Sequence, residues 1–269
     1  MKAVLRSFLN RAPRLKRLLR TVRDAVLPGR SVSTHYVALQ GEEATVEGQR
    51  LRNAWQDDSM PAKQRALVDV QLEQYRRGDP IDVFDVFVRS LQELPDLKPD
   101  MSLLEVGCSS GFYAEVVNIA KLPLLYEGCD YAEPFIELAR LRHPDNVFSV
   151  ADATALHHAD ASFDIVVSGC CLLHIPDYDK AVAETARVAR HYTVFHRTPV
   201  VWGEPERWYR KEAYGIPTVE IHFNEPEFLA LLARNGLHLL ATYTLNEQRS
   251  GDGSRGSAVR TYVCRKTTP

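Results

Sequence analysis

The 269-residue sequence lacks the features that mark metal-binding, secreted or membrane-spanning proteins. Its five cysteines form no C-x-x-C pair, so the usual spacing of zinc ligands is missing and we predict no metal site. No apolar run approaches the roughly 18 residues of a membrane-spanning helix. Basic residues such as Arg11, Arg14 and Arg20 interrupt the N-terminus, which therefore lacks the apolar core of a signal peptide. We expect a cytoplasmic protein with reduced cysteines.

An overall excess of positive charge is also missing. The formal net charge is −2, whereas nucleic-acid-binding proteins usually carry a basic surface, so we expect no nucleic-acid partner. Residues 1–30 nevertheless contain nine Lys or Arg residues and one acid, Asp24. Apolar residues recur there at helical spacing, with arginines on the opposite face. Two interpretations stay open: a basic amphipathic helix in peripheral contact with the inner face of a membrane, or a helix or arm packed on its own domain.

Short apolar runs alternate with helical patterns from residue 100 onward. The strand candidates are residues 102–107, 125–130, 146–151, 163–170 and 191–196. The helical stretches between them lie near residues 111–120, 132–142 and 178–190. Buried runs joined by helices predict βαβ units, and therefore an α/β fold with a parallel sheet.

The two ends of the chain depart from this alternation. Two strand-like runs, 237–245 and 258–265, are separated only by a polar, Gly-rich segment, so we expect them to pair antiparallel. Before the sheet, residues 31–95 carry helical patterns such as that of residues 81–91, which predict a helical N-terminal cap. The main domain is predicted over residues 96–269.

A loop of small residues follows the first strand of the predicted sheet. The stretch LLEVGCSSGFY has the spacing E-x-G-x-S-x-G at Glu105, Gly107, Ser109 and Gly111. The G-x-G-x-x-G spacing of dinucleotide-binding loops is missing. In an open α/β sheet, ligands bind at the carboxyl ends of the strands, and small residues let backbone N–H groups approach a ligand closely. We therefore predict that this loop lines a binding site.

The ordered set of motifs resembles that of the class I S-adenosylmethionine-dependent methyltransferases. Asp130 ends the second strand, where the family carries an acid that holds the ribose, and Asp152 follows the third strand, where an acid faces the adenine. The block from Phe163 to Val188 resembles the family's fourth strand and the helix after it. The resemblance covers about residues 82–269. It implies a Rossmann-like, mostly parallel seven-stranded sheet with an antiparallel C-terminal edge strand, plus an N-terminal helical extension.

The resemblance also implies S-adenosyl-L-methionine as the cofactor. A carboxylate such as Asp130 suits a ribose diol, because charge-assisted hydrogen bonds are strong. Ser109 stands where the family usually has glycine, and a positive φ there would weaken cofactor binding. The expected cofactor-binding residues are Glu105, Gly107, Ser109, Gly111, Asp130, Tyr131, Asp152, Ala153 and Gly169.

Three histidines are candidates for the base that takes a proton from an alcohol acceptor, because imidazole titrates near neutral pH. His174 lies just beyond the fourth strand, His196 ends the fifth, and His222 precedes the last helix. For each of them, a role as a hydrogen-bonded core or capping histidine stays open as the alternative.

A long connection over about residues 198–223 precedes the last helix and should fold over the pocket as a lid. Its aromatic residues could stack on a sugar ring or an aromatic acceptor, or only pin the segment in place. The candidates for substrate binding are Trp202, Trp208, Tyr209 and Tyr214. The cations that could meet a phosphate or carboxylate are Arg207, Arg210 and Lys211.

The predicted function is methyl transfer from S-adenosylmethionine to a small or medium-sized molecule, at oxygen rather than nitrogen or carbon. The basic N-terminus, helical cap and aromatic lid suggest a glycan or lipid-linked acceptor. Three alternatives remain. They are a methyltransferase acting on protein or nucleic acid, a protein that binds S-adenosylmethionine without catalysis, and an NAD-dependent oxidoreductase, which the loop spacing opposes.

Overall fold

The computed structural model of the chain describes residues 33–267. The basic segment predicted over residues 1–30 lies outside the described residues, and so does its membrane contact. Within residues 33–267, no helix is long and apolar enough to cross a membrane.

The described chain contains ten strands and seven α-helices. The strands are β1 (Ser33–Leu39), β2 (Met101–Val106), β3 (Leu124–Asp130), β4 (Val147–Val150), β5 (Phe163–Gly169), β6 (Ala189–Trp202), β7 (Arg207–Ala213), β8 (Ile216–Asn224), β9 (Leu237–Arg249) and β10 (Gly256–Lys266). The helices are α1 (Glu42–Arg50), α2 (Met60–Arg76), α3 (Asp82–Gln92), α4 (Phe112–Ile119), α5 (Glu133–Arg142), α6 (Tyr178–Val188) and α7 (Glu225–Arg234). The short 3-10 helices are Ala54–Gln56 and Leu172–His174.

Five parallel strands form the centre of the main sheet, in the order β4-β3-β2-β5-β6. The connections between them run through α4, α5 and α6. Leu103 and Leu104 of β2 are fully buried and belong to two different core clusters, the first with Val116 of α4 and the second with Val188 of α6. Burial on both faces is typical of a parallel sheet covered by helices. The predicted α/β fold and its five parallel strands are confirmed.

The last two strands form the predicted antiparallel pair, but the order at this side of the sheet differs from the prediction. β10 pairs antiparallel with both β6 and β9, so it lies between them, and β9 is the edge strand. Burial agrees with this order. Ala258, Tyr262 and Val263 of β10 are buried, whereas most side chains of β9 are exposed or only partly buried. β10 is thus an interior strand, and β9 borders the sheet.

A small antiparallel sheet, here named the β-lobe, consists of β1, β7 and β8. The predicted lid over residues 198–223 thus forms strands, joined to the main sheet by two parallel residue pairs between β6 and β8. The sequence predicts helices over residues 31–95, whereas β1 is extended. Thr34, Tyr36 and Val37 favour a strand, but nearly all side chains of β1 are exposed. Because no buried face repeats along it, the sequence offers no period-two signal there.

Helix α2 lies across the carboxyl ends of the central strands. It packs against α4 and α5. Arg65 of α2 is 4% exposed and pairs with Glu115 of α4, and its Nε lies 2.7 Å from Asp69 Oδ1. A buried arginine with two carboxylate partners holds the helix in this position.

Candidate active site

A cavity of about 480 Å³ lies at the carboxyl ends of β2, β3 and β5. The loops after these strands form its base, α2 and α3 cover one side, and the β-lobe covers the other. Its volume falls within the range of small-molecule and cofactor sites. Ligands of open α/β sheets bind at this edge, so the cavity is the candidate active site.

Two glycines shape the loop after β2. Gly107 lines the cavity with a φ of 72°, and a Cβ added there would collide with the side chain of Cys171. Gly111 has a φ of 70° and caps α4, and a Cβ there would lie 2.7 Å from the ring of Phe148. Gly111 lies behind the cavity wall rather than on it. The first glycine keeps the cavity open, and the second turns the chain into the helix.

Ser109 lines the same loop with a φ of 53°. This left-handed backbone costs a residue with a Cβ about 1–2 kcal/mol. The Ser109 N–H donates to Asp130 Oδ2 at 2.9 Å, and its hydroxyl donates to Gln64 Oε1 of α2. These bonds hold the strained backbone in place. Ser109 therefore has a positive φ, and we expect it to weaken cofactor binding relative to the usual glycine.

Asp130 lines the cavity at the end of β3 and is 8% exposed. Its Oδ2 accepts the N–H of Ser109, and its Oδ1 accepts the N–H of Ala132 at 3.0 Å. Burial raises the pKa of this carboxyl to about 6, although the N–H donors act in the opposite direction. Each oxygen keeps a lone pair, so Asp130 can accept two more hydrogen bonds from a ligand.

Glu105 lies beneath the cavity wall. Its Oε2 accepts from the Tyr126 hydroxyl, whereas Oε1 is buried without a hydrogen-bond partner in the described residues. Burial raises the pKa of this carboxyl well above its usual range. Gly169 lines the cavity directly above Oε1, and a Cβ there would collide with that oxygen. Because an unpaired buried carboxyl oxygen is costly, a cation placed near Gly169 would stabilise it.

Tyr131, Asp152 and Ala153 line the cavity beside Asp130. The Tyr131 hydroxyl donates to the Arg52 carbonyl at 3.0 Å. Asp152 Oδ1 accepts two hydrogen bonds from Thr154, and its Oδ2 lies 2.6 Å from Arg52 Nη2. Asp152 thus forms a turn and an ion pair, while its carboxylate still borders the cavity.

His174 is the one predicted histidine that lines the cavity within residues 33–267. Its Nδ1 lies 2.6 Å from the Val219 carbonyl, so Nδ1 carries the proton and Nε2 keeps its lone pair. Burial, reinforced by the charge of Lys211, lowers its pKa to about 3. The ring is therefore neutral at pH 7, and it stands beside Trp55 with ring centroids 4.8 Å apart.

His196 and His222 lie outside the cavity wall. His196 is 1% exposed, and its two ring nitrogens are each 2.9 Å from a hydroxyl, that of Thr261 at Nδ1 and that of Tyr113 at Nε2. His222 Nε2 is hydrogen-bonded to Glu220 Oε1 at 2.7 Å. The positions of both histidines favour the structural role that was the alternative for each.

Among the four aromatic candidates for substrate binding, Tyr214 lines the cavity and the other three do not. Trp202 donates its indole N–H to a backbone carbonyl at 3.3 Å, and Trp208 donates to a carboxylate at 2.6 Å. Tyr209 packs edge-on against Tyr36 within the β-lobe. These three rings pin the segment in place.

Residues 104–195 match the family profile of a methyltransferase domain. The match includes the loop after β2, Asp130, Asp152 and His174, which together form much of the cavity wall. Residues 104–195 therefore form a domain of the class I S-adenosylmethionine-dependent methyltransferases. The predicted family is confirmed, and its cofactor is S-adenosylmethionine.

Curated relatives of this methyltransferase share part of its length. Demethylmenaquinone methyltransferase of Renibacterium salmoninarum is 33% identical over 92 residues, which are 34% of this chain and 38% of that protein. Mouse "Probable tRNA methyltransferase 9B" is 33% identical over 103 residues, which are 37% of this chain and 22% of that protein. The matched part thus spans less than half of each relative. One name refers to demethylmenaquinone and the other to tRNA, so the relatives do not agree on an acceptor.

A solved structure has a similar fold. It is 1,6-didemethyltoxoflavin-N1-methyltransferase of Burkholderia thailandensis with bound 1,6-didemethyltoxoflavin and S-adenosylhomocysteine. The similarity has a TM-score of 0.50 at 18% identity and covers 77% of this methyltransferase and 91% of that chain. At this identity the similarity shows the fold.

The residues of the cavity fit S-adenosylmethionine. The cofactor carries an ammonium group, a sulfonium centre and a ribose diol. Glu105 offers a buried oxygen that lacks a donor within the described chain, and Asp130 offers two free lone pairs. Gly107 and Gly169 keep side chains out of the space between these acids, since a Cβ at either would collide with neighbouring atoms.

Glu220 and Arg197 are cavity residues that the sequence does not single out, whereas Lys211 is among the cations named from the sequence. Lys211 and Glu220 of the β-lobe form a buried ion pair, and Lys211 Nζ lies 3.0 Å from Ser33 Oγ. Burial alone would raise the pKa of Glu220, but hydrogen bonds from His222 and Lys211 bring it to about 2. Arg197 is a further cavity residue. Its signal in the sequence is a lone arginine within the otherwise buried run of β6.

Proposed function

We propose that the protein transfers a methyl group from S-adenosylmethionine to a hydroxyl group of a small or medium-sized molecule. One observation carries this proposal. The cavity has an acidic end, at Asp130 and Glu105, and a neutral histidine, His174, whose Nε2 has no hydrogen-bond partner within residues 33–267. The acidic end suits a cationic cofactor, and the histidine suits an acceptor that must lose a proton.

The acidic end would hold the cofactor. Asp130 would accept hydrogen bonds from both ribose hydroxyls, and Glu105 would neutralise the ammonium group across Gly169. Tyr131 would pack its ring on the adenine, and Asp152 would face the adenine amino group. When bound, the cofactor supplies a methyl group on a positively charged sulfur, and this sulfur is the group that an acceptor oxygen displaces in line. The chain contributes mainly alignment and exclusion of water.

His174 would act on the acceptor proton. Its Nδ1–H donates to the Val219 carbonyl, which fixes the ring and leaves Nε2 to accept a hydrogen bond from the acceptor hydroxyl. A pKa of about 3 makes His174 a weak base. A weak base is sufficient here, because a hydroxyl proton becomes strongly acidic as its oxygen gains a methyl group. The proton would therefore move to Nε2 late in the transfer.

Calorimetry tests the cofactor. The full-length chain should bind S-adenosylhomocysteine and bind NAD far more weakly. Labelled methyl donor, incubated with fractions of a cell extract, then tests transfer and reports whether the acceptor is small or macromolecular. Tighter binding of NAD would contradict the proposal, and so would label appearing only in protein or nucleic acid.

The role of His174 has its own test. His174→Ala should lower the rate of labelled transfer by about 100-fold while S-adenosylhomocysteine affinity stays unchanged. His222→Ala, outside the cavity, is the matched control and should transfer at close to the wild-type rate. Equal rates for both variants would remove His174 from the mechanism.

A further inference from the structure

The cations of the cavity wall differ in their partners. Arg52 is paired with Asp152, and Lys211 is paired with Glu220. Arg197 lines the same cavity, but it forms no ion pair with any carboxylate of residues 33–267. A partly buried guanidinium without a counter-ion is unusual, because a desolvated charge is costly unless it is paired.

The surroundings of Arg197 supply polar groups but no carboxylate partner within residues 33–267. The strongest electrostatic influences on its guanidinium come from the Cys170 thiol and from the Tyr113 and Tyr214 hydroxyls. Tyr113, Cys170 and Tyr214 all line the cavity. An anion that enters the cavity at this point would meet a cation with donors to spare.

The backbone of β6 is distorted at Arg197. His196 and Arg197 together stand opposite the single residue Thr261 of β10, which is a β-bulge, and Arg197 has a φ of 59°. Bulges beside active sites change the direction of a side chain, and a left-handed arginine is held only where the surrounding structure fixes it. Here the fixing contacts are those of His196 with Thr261 and Tyr113.

The charges of the cavity are separated along the sheet. Asp130 ends β3 and Glu105 is the last but one residue of β2, whereas Arg197 lies on β6, with β5 between β2 and β6. Three strand spacings of about 4.8 Å separate β3 from β6, or about 14 Å. A cofactor held at Asp130 and reaching toward Gly169 occupies the acidic part of this span. The cationic part is then left for the second substrate.

We propose that Arg197 binds an anionic group, a carboxylate or a phosphate, on the methyl acceptor, so that this enzyme methylates an anion. The inference rests on the proposed function and narrows its substrate class. The planar guanidinium matches both anions through paired hydrogen bonds. His196 and Tyr113 are positioning residues that hold Arg197 at the bulge. The opposing assignment is that Arg197 binds the cofactor's own carboxylate.

The test uses the full-length chain saturated with S-adenosylhomocysteine. Benzoate and phenyl phosphate are titrated as anionic probes and benzamide as the neutral counterpart of benzoate, by calorimetry and by the side-chain Nε–H signals of arginine in NMR. At least one anion should bind about tenfold tighter than benzamide and shift the Arg197 signal. Which anion binds tighter separates a carboxylate acceptor from a phosphate acceptor.

Four variants complete the test. Arg197→Gln should lower the affinity for the anion to the affinity for benzamide, and Arg197→Lys should restore part of the lost affinity. Both keep a Cβ, so neither relieves the left-handed strain. Tyr113→Phe should reduce the preference for the anion, because it removes the hydroxyl that is bonded to His196 at the bulge and keeps the ring. Arg210→Gln is the control, since Arg210 is an exposed arginine of β7 outside the cavity.

Three results would overturn the inference. The first is equal binding of anion and benzamide, or no anion binding at all, by the loaded protein. The second is a loss of S-adenosylhomocysteine affinity of about tenfold or more in Arg197→Gln, which would assign Arg197 to the cofactor. The third is failure of the wild-type chain to bind S-adenosylhomocysteine, which would remove the proposed function as well. The first two leave the proposed function standing.

Discussion

Asp130 should make cofactor binding depend on pH. Burial raises its pKa to about 6 in the free protein, from an ordinary value of 3.8. Hydroxyl groups that donate to the carboxylate stabilise its ionised form and lower its pKa again. Protons and ligand therefore compete, and affinity falls as the pH drops below 6. If binding restores the ordinary value, the difference of about 2 pH units corresponds to about 3 kcal/mol, or roughly 100-fold in affinity.

Calorimetry with S-adenosylhomocysteine at pH 5 and pH 7 measures the effect. At pH 5 about nine-tenths of the free protein is protonated at Asp130, so binding should be about tenfold weaker than at pH 7. Titration in two buffers of different ionisation enthalpy counts the protons released at pH 5. Glu105 has a raised pKa as well, and Glu105→Gln separates its contribution.

Asp130→Asn is the decisive variant. It should bind weakly at both pH values and lose the pH dependence that Asp130 causes. The raised pKa also predicts the sign of the stability change. The charge of Asp130 destabilises the free protein as the pH rises through about 6, so this part of the change in unfolding temperature between pH 5 and pH 7 should be lost in Asp130→Asn, whose amide does not ionise. Equal affinity of the wild type at pH 5 and pH 7 would refute the reasoning, and so would an unchanged pH profile in Asp130→Asn.

Two further predictions concern stability. Ser109→Gly should be more stable than Ser109→Ala by about 0.5–1 kcal/mol in chemical denaturation, because both lose the bond to Gln64 but only glycine relieves the strain at a φ of 53°. Equal stabilities would mean that this backbone is unstrained. Lys211→Met should destabilise the fold by roughly 3 kcal/mol, because Glu220 loses its cation. Thermal unfolding of Lys211→Met combined with Glu220→Leu should show a smaller loss, and an equal loss would contradict the charge argument.

Residues 103–170 are the part that the sequence predicts well. There the candidate residues lie at or close to the end of a strand, so the local pattern gives both the element and the side chain near its end. Asp130 is an example, since seven strand residues end at it and its carboxylate borders the cavity. Glu105 is a second example, although only the structure shows that its carboxylate oxygen Oε1 lies behind Gly169.

The β-lobe and the charge pairs of the cavity depend on contacts between segments that are distant in the sequence. β1 pairs with β7, whose register joins Ser33 to Ala213, and no short-range pattern contains that pairing. The three cations predicted to meet an anion each have an acid nearby: Glu204 for Arg207, Glu47 for Arg210 and Glu220 for Lys211. Arg197 differs from them, since it lines the cavity beside a bulge and has no carboxylate partner within residues 33–267. Charge pairing is a tertiary property, and the sequence alone cannot assign it.

The position of β10 has a consequence for how the sheet is completed. β9 is made before β10, yet it has no partner in the main sheet until β10 has docked on β6. A shortened chain that stops before Gly256 would therefore leave backbone N–H and C=O groups without partners on two strand borders, those of β6 and β9. Such borders recruit other chains, so we expect early termination in this region to yield aggregates rather than a slightly smaller enzyme.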